Sequence, residues 1–271
     1  MIKKLLMKRL LLVLILCSPC WAGNLFTSDP NCVALYNFES AAILADSKGN
    51  NTLTGAPDPN TTLFKQGSAS GEWDGTSGMV VYRNDGDLSA DFPFKNGTSN
   101  LTYSICFWWM THRASWISYY MTEKRLAAAP LAVILSKSNQ KVKMWASAGV
   151  GMEFEVASTL FAADTWYHVA VTYNGATREA RISVWNDTLK ALVAPDVTGT
   201  LDAGAAVNAE RFQFGAAGTS SVYRLIGLAD ELVIFNVVLT VEEIDEIRSG
   251  TYGAPTGPIE GNAFMSTYNP N

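Results

Sequence analysis

The stretch GLADELVIFNVVLTVEEIDEIRSG (227–250) concentrates the carboxylates that acid–base chemistry would need. Two carboxyl groups about 5 Å apart can cleave a glycosidic bond with retention. On a strand this calls for alternate positions, because side chains two apart share a face. Glu243-Ile244-Asp245 has that spacing, but its context is helical. Thr240 and Glu243 form a capping-box pair, with Leu239 and Ile244 placed as a hydrophobic staple. Val241, Ile244 and Ile247 recur at helical spacing, and Gly250 follows as a stop. In a helix over 241–249, Asp245 lies about 200° around the axis from Glu243. Glu242 and Glu243 also suit the positive end of the helix dipole. These acids end a fold rather than cut a bond.

Asp230 and Glu231 pose a different question. The run 226–235 is apolar on both faces, with Ile226, Leu228, Leu232 and Ile234 on one and Val233 and Phe235 on the other. Such a strand is buried on both sides. Adjacent acids on it point to opposite faces. A buried carboxylate is costly unless it is paired, hydrogen-bonded or bound to a metal. Backbone amides are one such partner. Glu153 and Glu155, in MEFEVAS (152–158), are the other same-face pair two apart on a strand; a half-exposed strand shows the same letters.

Only two histidines occur. His168 sits in the apolar strand WYHVAVTY, where a hydrogen-bonded core role is the simplest reading; His112 has no partner at metal-ligand spacing. No G-x-S-x-G, P-loop or HExxH motif is present. Trp108 and Trp109 are strand neighbours, so one fills the core and the other faces outward. Trp109, Trp116, Tyr119 and Tyr120 are the candidate platform for stacking on a ligand; the alternative is that they cover the sandwich.

The elements that must carry these residues are short β runs between turn clusters. They include VALYNFES (33–40), LTYSICFWWM (101–110), LAVILSK (131–137), KVKMWAS (141–147), WYHVAVTYN (166–174), ARISVWN (180–186), RFQFG (211–215) and LADELVIF (228–235), with one further short strand inside 67–82. Strands at this spacing, with Gly, Asn, Asp and Pro between them, predict an all-β antiparallel sandwich or jelly roll. Segment 112–130 breaks the rhythm and reads as a long loop or short helix. Residues 254–271 read as a loose tail.

The chain has 271 residues, 48% hydrophobic and 17% charged, so a sizeable core is available. Residues 1–22 combine Lys3, Lys4, Lys8 and Arg9 with the apolar run Leu10–Leu16 and end in Cys20-Trp21-Ala22, the pattern of a secretory signal. The predicted organisation is therefore a signal over 1–22, one jelly-roll domain over 23–253 and the tail. The location is secreted or periplasmic, with no membrane insertion after cleavage. Without the signal, the 20 basic residues fall to 16 against 25 acidic ones, a net of −9. That argues against nucleic acid as a partner. Cys32 and Cys106 remain, as one disulfide or as two buried thiols.

ALYNFES (34–40), ADSKGNNTLTG (45–55), GSASGEWDG (67–75), LTYSICFWWM, WYHVAVTYNG (166–175) and LADELVIFNVVLTVEEIDEI (228–247), in this order, resemble the LamG-like jelly roll of the concanavalin A-like lectin/glucanase superfamily. The resemblance covers most of residues 32–252. It implies two face-to-face antiparallel sheets and, in most members, a non-catalytic module that binds glycans or extracellular proteins. The same fold also hosts glycoside hydrolases and polysaccharide lyases, and a structural role in a surface layer is a third expectation. The resemblance further implies a structural Ca2+ held by Asp46, Gly49 and Asn51 of the Asp-x-x-Gly-Asn-Asn turn together with Asp230. Calcium prefers several hard oxygens, which such a turn can present.

Overall fold

The structure is a computed structural model, which describes residues 24–76, 79–98, 101–112, 119–124, 131–136, 141–145, 161–201, 208–216 and 224–254. Residues 1–22, read above as a signal, Trp116, Glu153, Glu155 and the expected tail beyond 254 lie outside the described residues.

The expected two-sheet antiparallel sandwich is present. The first sheet contains β1 (Cys32–Tyr36), β2 (Asp58–Asn60), β3 (Ser70–Asp74), β5 (Tyr103–Thr111), β9 (Tyr167–Tyr173), β10 (Glu179–Asn186), β11 (Ala191–Leu192), β12 (Val197–Thr200) and β14 (Ile226–Phe235). Its order is β11-β10-β9-β5-β14-β3-β2. The second runs β4 (Val81–Arg83), β13 (Phe212–Phe214), β6 (Tyr119–Lys124), β7 (Leu131–Ser136) and β8 (Lys141–Trp145). Two expectations change here. Residues 67–82 hold two strands, one in each sheet. The segment 112–130, expected to be loop or helix, contributes β6 at 119–124.

Alternation sorts the first sheet's side chains into two layers. Tyr103, Ile105, Phe107 and Trp109 of β5 point inward with Val169, Val171 and Tyr173 of β9, and meet Met121, Val142, Met144, Phe212 and Phe214 of the opposite sheet. Cys106 and Trp108 point the other way, into two smaller apolar clusters on the outer face.

One of these outer clusters is covered by the only α-helix among the described residues, α1 (Val241–Ser249). Its predicted cap is formed: the Glu243 amide donates to Thr240 Oγ1 at 3.2 Å and the Thr240 amide to Glu243 Oε2 at 2.7 Å. Gly250 closes it in the left-handed region at φ 77°. Ile244 and Ile247, with Leu239 ahead of them, pack on Cys106, Val233 and Phe235. Each isoleucine so buried contributes about 2 kcal/mol as an upper bound. Asp245 points away from Glu243 and pairs with Arg248.

The long strand β14 holds the sheet together. β5 lies along one edge; β3 pairs with its first half and β1 with its second on the other edge. Gly227 is required where β14 meets β5, because a Cβ there would sit 2.1 Å from the Met110 carbonyl oxygen. Between Asp230 and Val233 the register shifts, so β14 contains a bulge. Glu231 occupies it with φ 51°. The bulge overturns the simple face assignment. Leu228 joins the outer layer and Leu232 the inner one.

The cysteines are free and buried. Cys32 on β1 stands opposite Phe235, and Cys106 on β5 opposite Val233, on the two sides of β14. Two strand spacings, roughly 9.5 Å, separate their strands. A disulfide needs Cα atoms within about 7 Å. Burial pushes the Cys32 thiol up to about 12 and raises Cys106 further.

Candidate functional site

The implied calcium site is overturned. Among the described residues no group of three or more His, Cys, Asp and Glu side chains is placed to hold a metal ion. The carboxylate of Asp46 is already filled by amides of its own turn and of β1. Oδ1 accepts the amides of Leu35 and Lys48, and Oδ2 those of Asn50 and Asn51. Gly49 supplies the positive φ the turn needs. Asn51 spends its carboxamide on Val33 O and on Ser89. Asp230 is satisfied by amides too: Oδ2 accepts Lys65 N at 2.7 Å and Gln66 N at 3.2 Å, and Oδ1 accepts Glu231 N at 2.9 Å. Backbone amides, one of the partners expected for a buried acid, thus satisfy Asp230.

These bonds make Asp230 the anchor of the 61–68 loop. Burial, and then the charge of Glu231, push its pKa up to about 8 against the three amides. Burial also raises Glu231, to about 7, against the hydrogen bond from Asn37 Nδ2. Both carboxyls are thus committed to structure.

Of the predicted aromatic platform, Trp109 is buried in the inner core, packed on Phe161 and Tyr167 with ring centroids 5.5 and 5.8 Å away. It cannot stack on a ligand without opening the sandwich. Tyr119 and Tyr120 begin β6, in the other sheet. Trp108, next to Trp109 in β5, takes the outer face of the sheet, where it is still only 3% exposed. Trp108 belongs to a cross-strand row on the outer face: Leu192, Trp185, His168, Trp108 and Asp230 stand opposite one another on β11, β10, β9, β5 and β14. Directly opposed residues share a face.

A cavity of about 570 Å³ opens over this row. Trp108 and Trp185 line it, with Lys65 from the anchored loop, Asp187 and Lys190 from the turn after β10, and Arg248 from the end of α1. Lys65 Nζ lies 4.3 Å from the Trp108 ring centroid, and the Arg248 guanidinium 3.7 Å from that of Trp185. Asp187 bonds Lys65 at 2.9 Å and Lys190 at 2.7 Å. Burial opposes its charge, but the bonds from the two lysines prevail and hold its carboxyl below the usual range. His168 lies beneath, 5.1 Å from Trp108 between ring centroids. Burial, then the charges of Arg248 and Lys65, drive its pKa down to about 3, so it is a neutral floor. Trp185 is only half-buried, and its Nε1 has no hydrogen-bond partner among the described residues.

Sequence reasoning missed Trp185, Lys65, Asp187, Lys190 and Arg248 as a group. One signal was available. In ARISVWN the residues Arg181, Ser183 and Trp185 occupy the polar face of an alternating strand, where a tryptophan is out of keeping. Lys65 and Arg248 carry no such mark.

The fold is shared with proteins of varied function. Domain 4 of AbnA, a GH43 extracellular arabinanase from Geobacillus stearothermophilus solved in complex with arabinotriose, is similar over 80% of this chain and 98% of that one, with 18% identity and a TM-score of 0.52. The binding domain of Paraclostridial Mosquitocidal Protein 1 is similar over 80% of this chain and 52% of its own, with 15% identity and a TM-score of 0.57. Trypanosoma rangeli sialidase matches over 82% of this chain but only 32% of the sialidase, at 13% identity and a TM-score of 0.52. This chain therefore spans about half of the mosquitocidal binding domain and a third of the sialidase. At these identities the likeness is one of fold alone. No curated protein matches the sequence. Residues 84–245, however, match the family described as the concanavalin A-like lectin/glucanases superfamily, and they carry most of both sheets and the start of α1. By that match and by its two-sheet sandwich, the chain belongs to the concanavalin A-like lectin/glucanases superfamily.

Proposed function

We propose that this chain is an exported, non-catalytic module that binds a saccharide in the cavity over Trp108 and Trp185. One observation carries the reading: the half-buried indole of Trp185, beside a Trp108 that lies buried under Lys65, floors a cavity whose rim is made of charged side chains. The part-exposed Trp185 indole offers apolar area to the C–H face of a sugar, while Lys65, Asp187, Lys190 and Arg248 supply donors and acceptors for hydroxyls. Three cations and one carboxylate make up the charged rim, and each cation has an acidic partner, Asp187 for Lys65 and Lys190 and Asp245 for Arg248. The arabinotriose complex of the AbnA domain supports the reading as an analogy of fold. The signal segment supports export, and among the described residues no helix is long and apolar enough to cross a membrane.

The test is a glycan array followed by calorimetry on the best hit, with the wild-type chain and Trp185→Ala. Trp185 is half-buried on the outer face, so its loss spares the inner core. Removing a stacking indole costs about 1.5 kcal/mol, or roughly tenfold in Kd. Binding that survives W185A unchanged, or an array with no hits, overturns the proposal.

A further inference from the structure

A second cavity, of about 390 Å³, lies on the same outer face. Arg181, Thr198, Thr200, Thr172, Asn174 and Glu179 line it. These residues share a face by register: Arg181 stands opposite Thr198 on β12 and Thr172 on β9, and Glu179 opposite Thr200. Arg181 is held by Asp196 at 2.8 Å.

Both cavities are built on one strand. Trp185 of the first and Arg181 of the second are four residues apart on β10, with Ser183 between them. The inward residues Ala180, Ile182 and Val184 are buried, whereas Arg181, Ser183 and Trp185 are all half-buried. The apolar cluster under α1 reaches across β1, β14 and β5 only as far as Ala170 of β9, and Arg248 at the end of α1 lies over Trp185 at one end of the strip. At about 3.4 Å per strand residue, the two sites are roughly 14 Å apart along β10.

We infer that the two cavities are the ends of one binding track along the outer face of β10, and that its ligand is a linear oligosaccharide of several rings rather than a single sugar. The inference rests on the saccharide reading above. Chemistry differs along the track. The Trp185 end offers an apolar stacking floor. The Arg181 end has no aromatic among the residues named and offers threonine hydroxyls, a carboxamide and a held guanidinium, all suited to hydroxyl groups. A chain engaging both ends gains affinity because the second contact is intramolecular.

The experiment is calorimetry with arabino-, xylo-, gluco- and galacturono-oligosaccharides of one to six units, on the wild-type chain, W185A and T198A. Thr198 is exposed on a strand surface, so T198A leaves the sandwich folded. The expected result is affinity rising at least tenfold from the monosaccharide to the longer members of one series. T198A then lowers affinity severalfold for the long members and leaves the short ones unchanged, while W185A weakens all of them. Short and long members binding alike, or T198A without effect on either, overturns the track and leaves the saccharide reading standing. No binding by any series overturns both.

Discussion

Replacing Asp230 with alanine removes the acceptor for three amides at once: Lys65 N, Gln66 N and Glu231 N. The bond to Glu231 is buried and the other two are part-buried, so water can partly replace those two. A buried donor left unmet costs about 1–3 kcal/mol, and a part-exposed one less, so the total is about 3 kcal/mol. For a domain of this size that lowers Tm by about 6–12 °C. Asp230→Asn is the informative companion. Its single carboxamide oxygen can accept Lys65 N and Gln66 N, but its Nδ2 then faces the Glu231 amide, so D230N loses about 1–2 kcal/mol near pH 6. The pH dependence separates charge from geometry. A carboxyl whose folded pKa lies above its unfolded one binds its proton more tightly when folded. Its contribution to stability is complete below the unfolded pKa and is lost as pH rises to the folded one. For Asp230 that window runs from about 4 to about 8. Glu231 loses its contribution up to about 7. Thermal unfolding followed by circular dichroism at pH 5, 7 and 9 should show the wild type approaching D230N as pH rises, because only the wild type must bury the charge of residue 230. A gap that is constant across this range, or a D230A Tm within about 2 °C of wild type at pH 6, would refute the reasoning.

Three further outcomes follow from the geometry. Chelation with EDTA leaves Tm unchanged, since ligand bound only by the native state would raise it and the Asp46 carboxylate is occupied by amides; a drop on chelation contradicts the backbone assignment. In a chain starting at Gly23, a thiol reagent titrates no cysteine in the native state and two after denaturation, because Cys32 and Cys106 are both buried and free; a thiol count of zero after denaturation would mean a disulfide. Thr240→Ala removes the cap of α1 and costs about 1 kcal/mol by urea unfolding, with T240S restoring most of it; equal loss in both variants would mean that the hydroxyl is not what matters.

Much of the scaffold is legible in short stretches of the chain. Period-two runs such as ARISVWN and WYHVAVTY can sit only as strands, since every second side chain must reach the core. The Thr240–Glu243 cap and the αL glycine at 250 are local geometry, encoded within a few residues, and α1 forms where they say. The same local logic correctly sent Trp108 and Trp109 to opposite faces.

Which face became inner and which outer depended on long-range packing. Alternation cannot say on which side the second sheet lies, so Trp109 went to the inner core and Trp108 to the outer row. The bulge at Glu231 inverted the remainder of β14, because one extra residue exchanges all later side chains between faces. The partners of the buried acids are amides from turns and from a loop more than 160 residues away in sequence, and no pattern in the neighbourhood of Asp230 announces them. The cavity joins a loop lysine, two strand tryptophans, a turn and a helix end. Each looks ordinary in its own segment. Only strand order brings Trp185, His168, Trp108 and Asp230 into one row, and the docking of α1 then sets Arg248 over it.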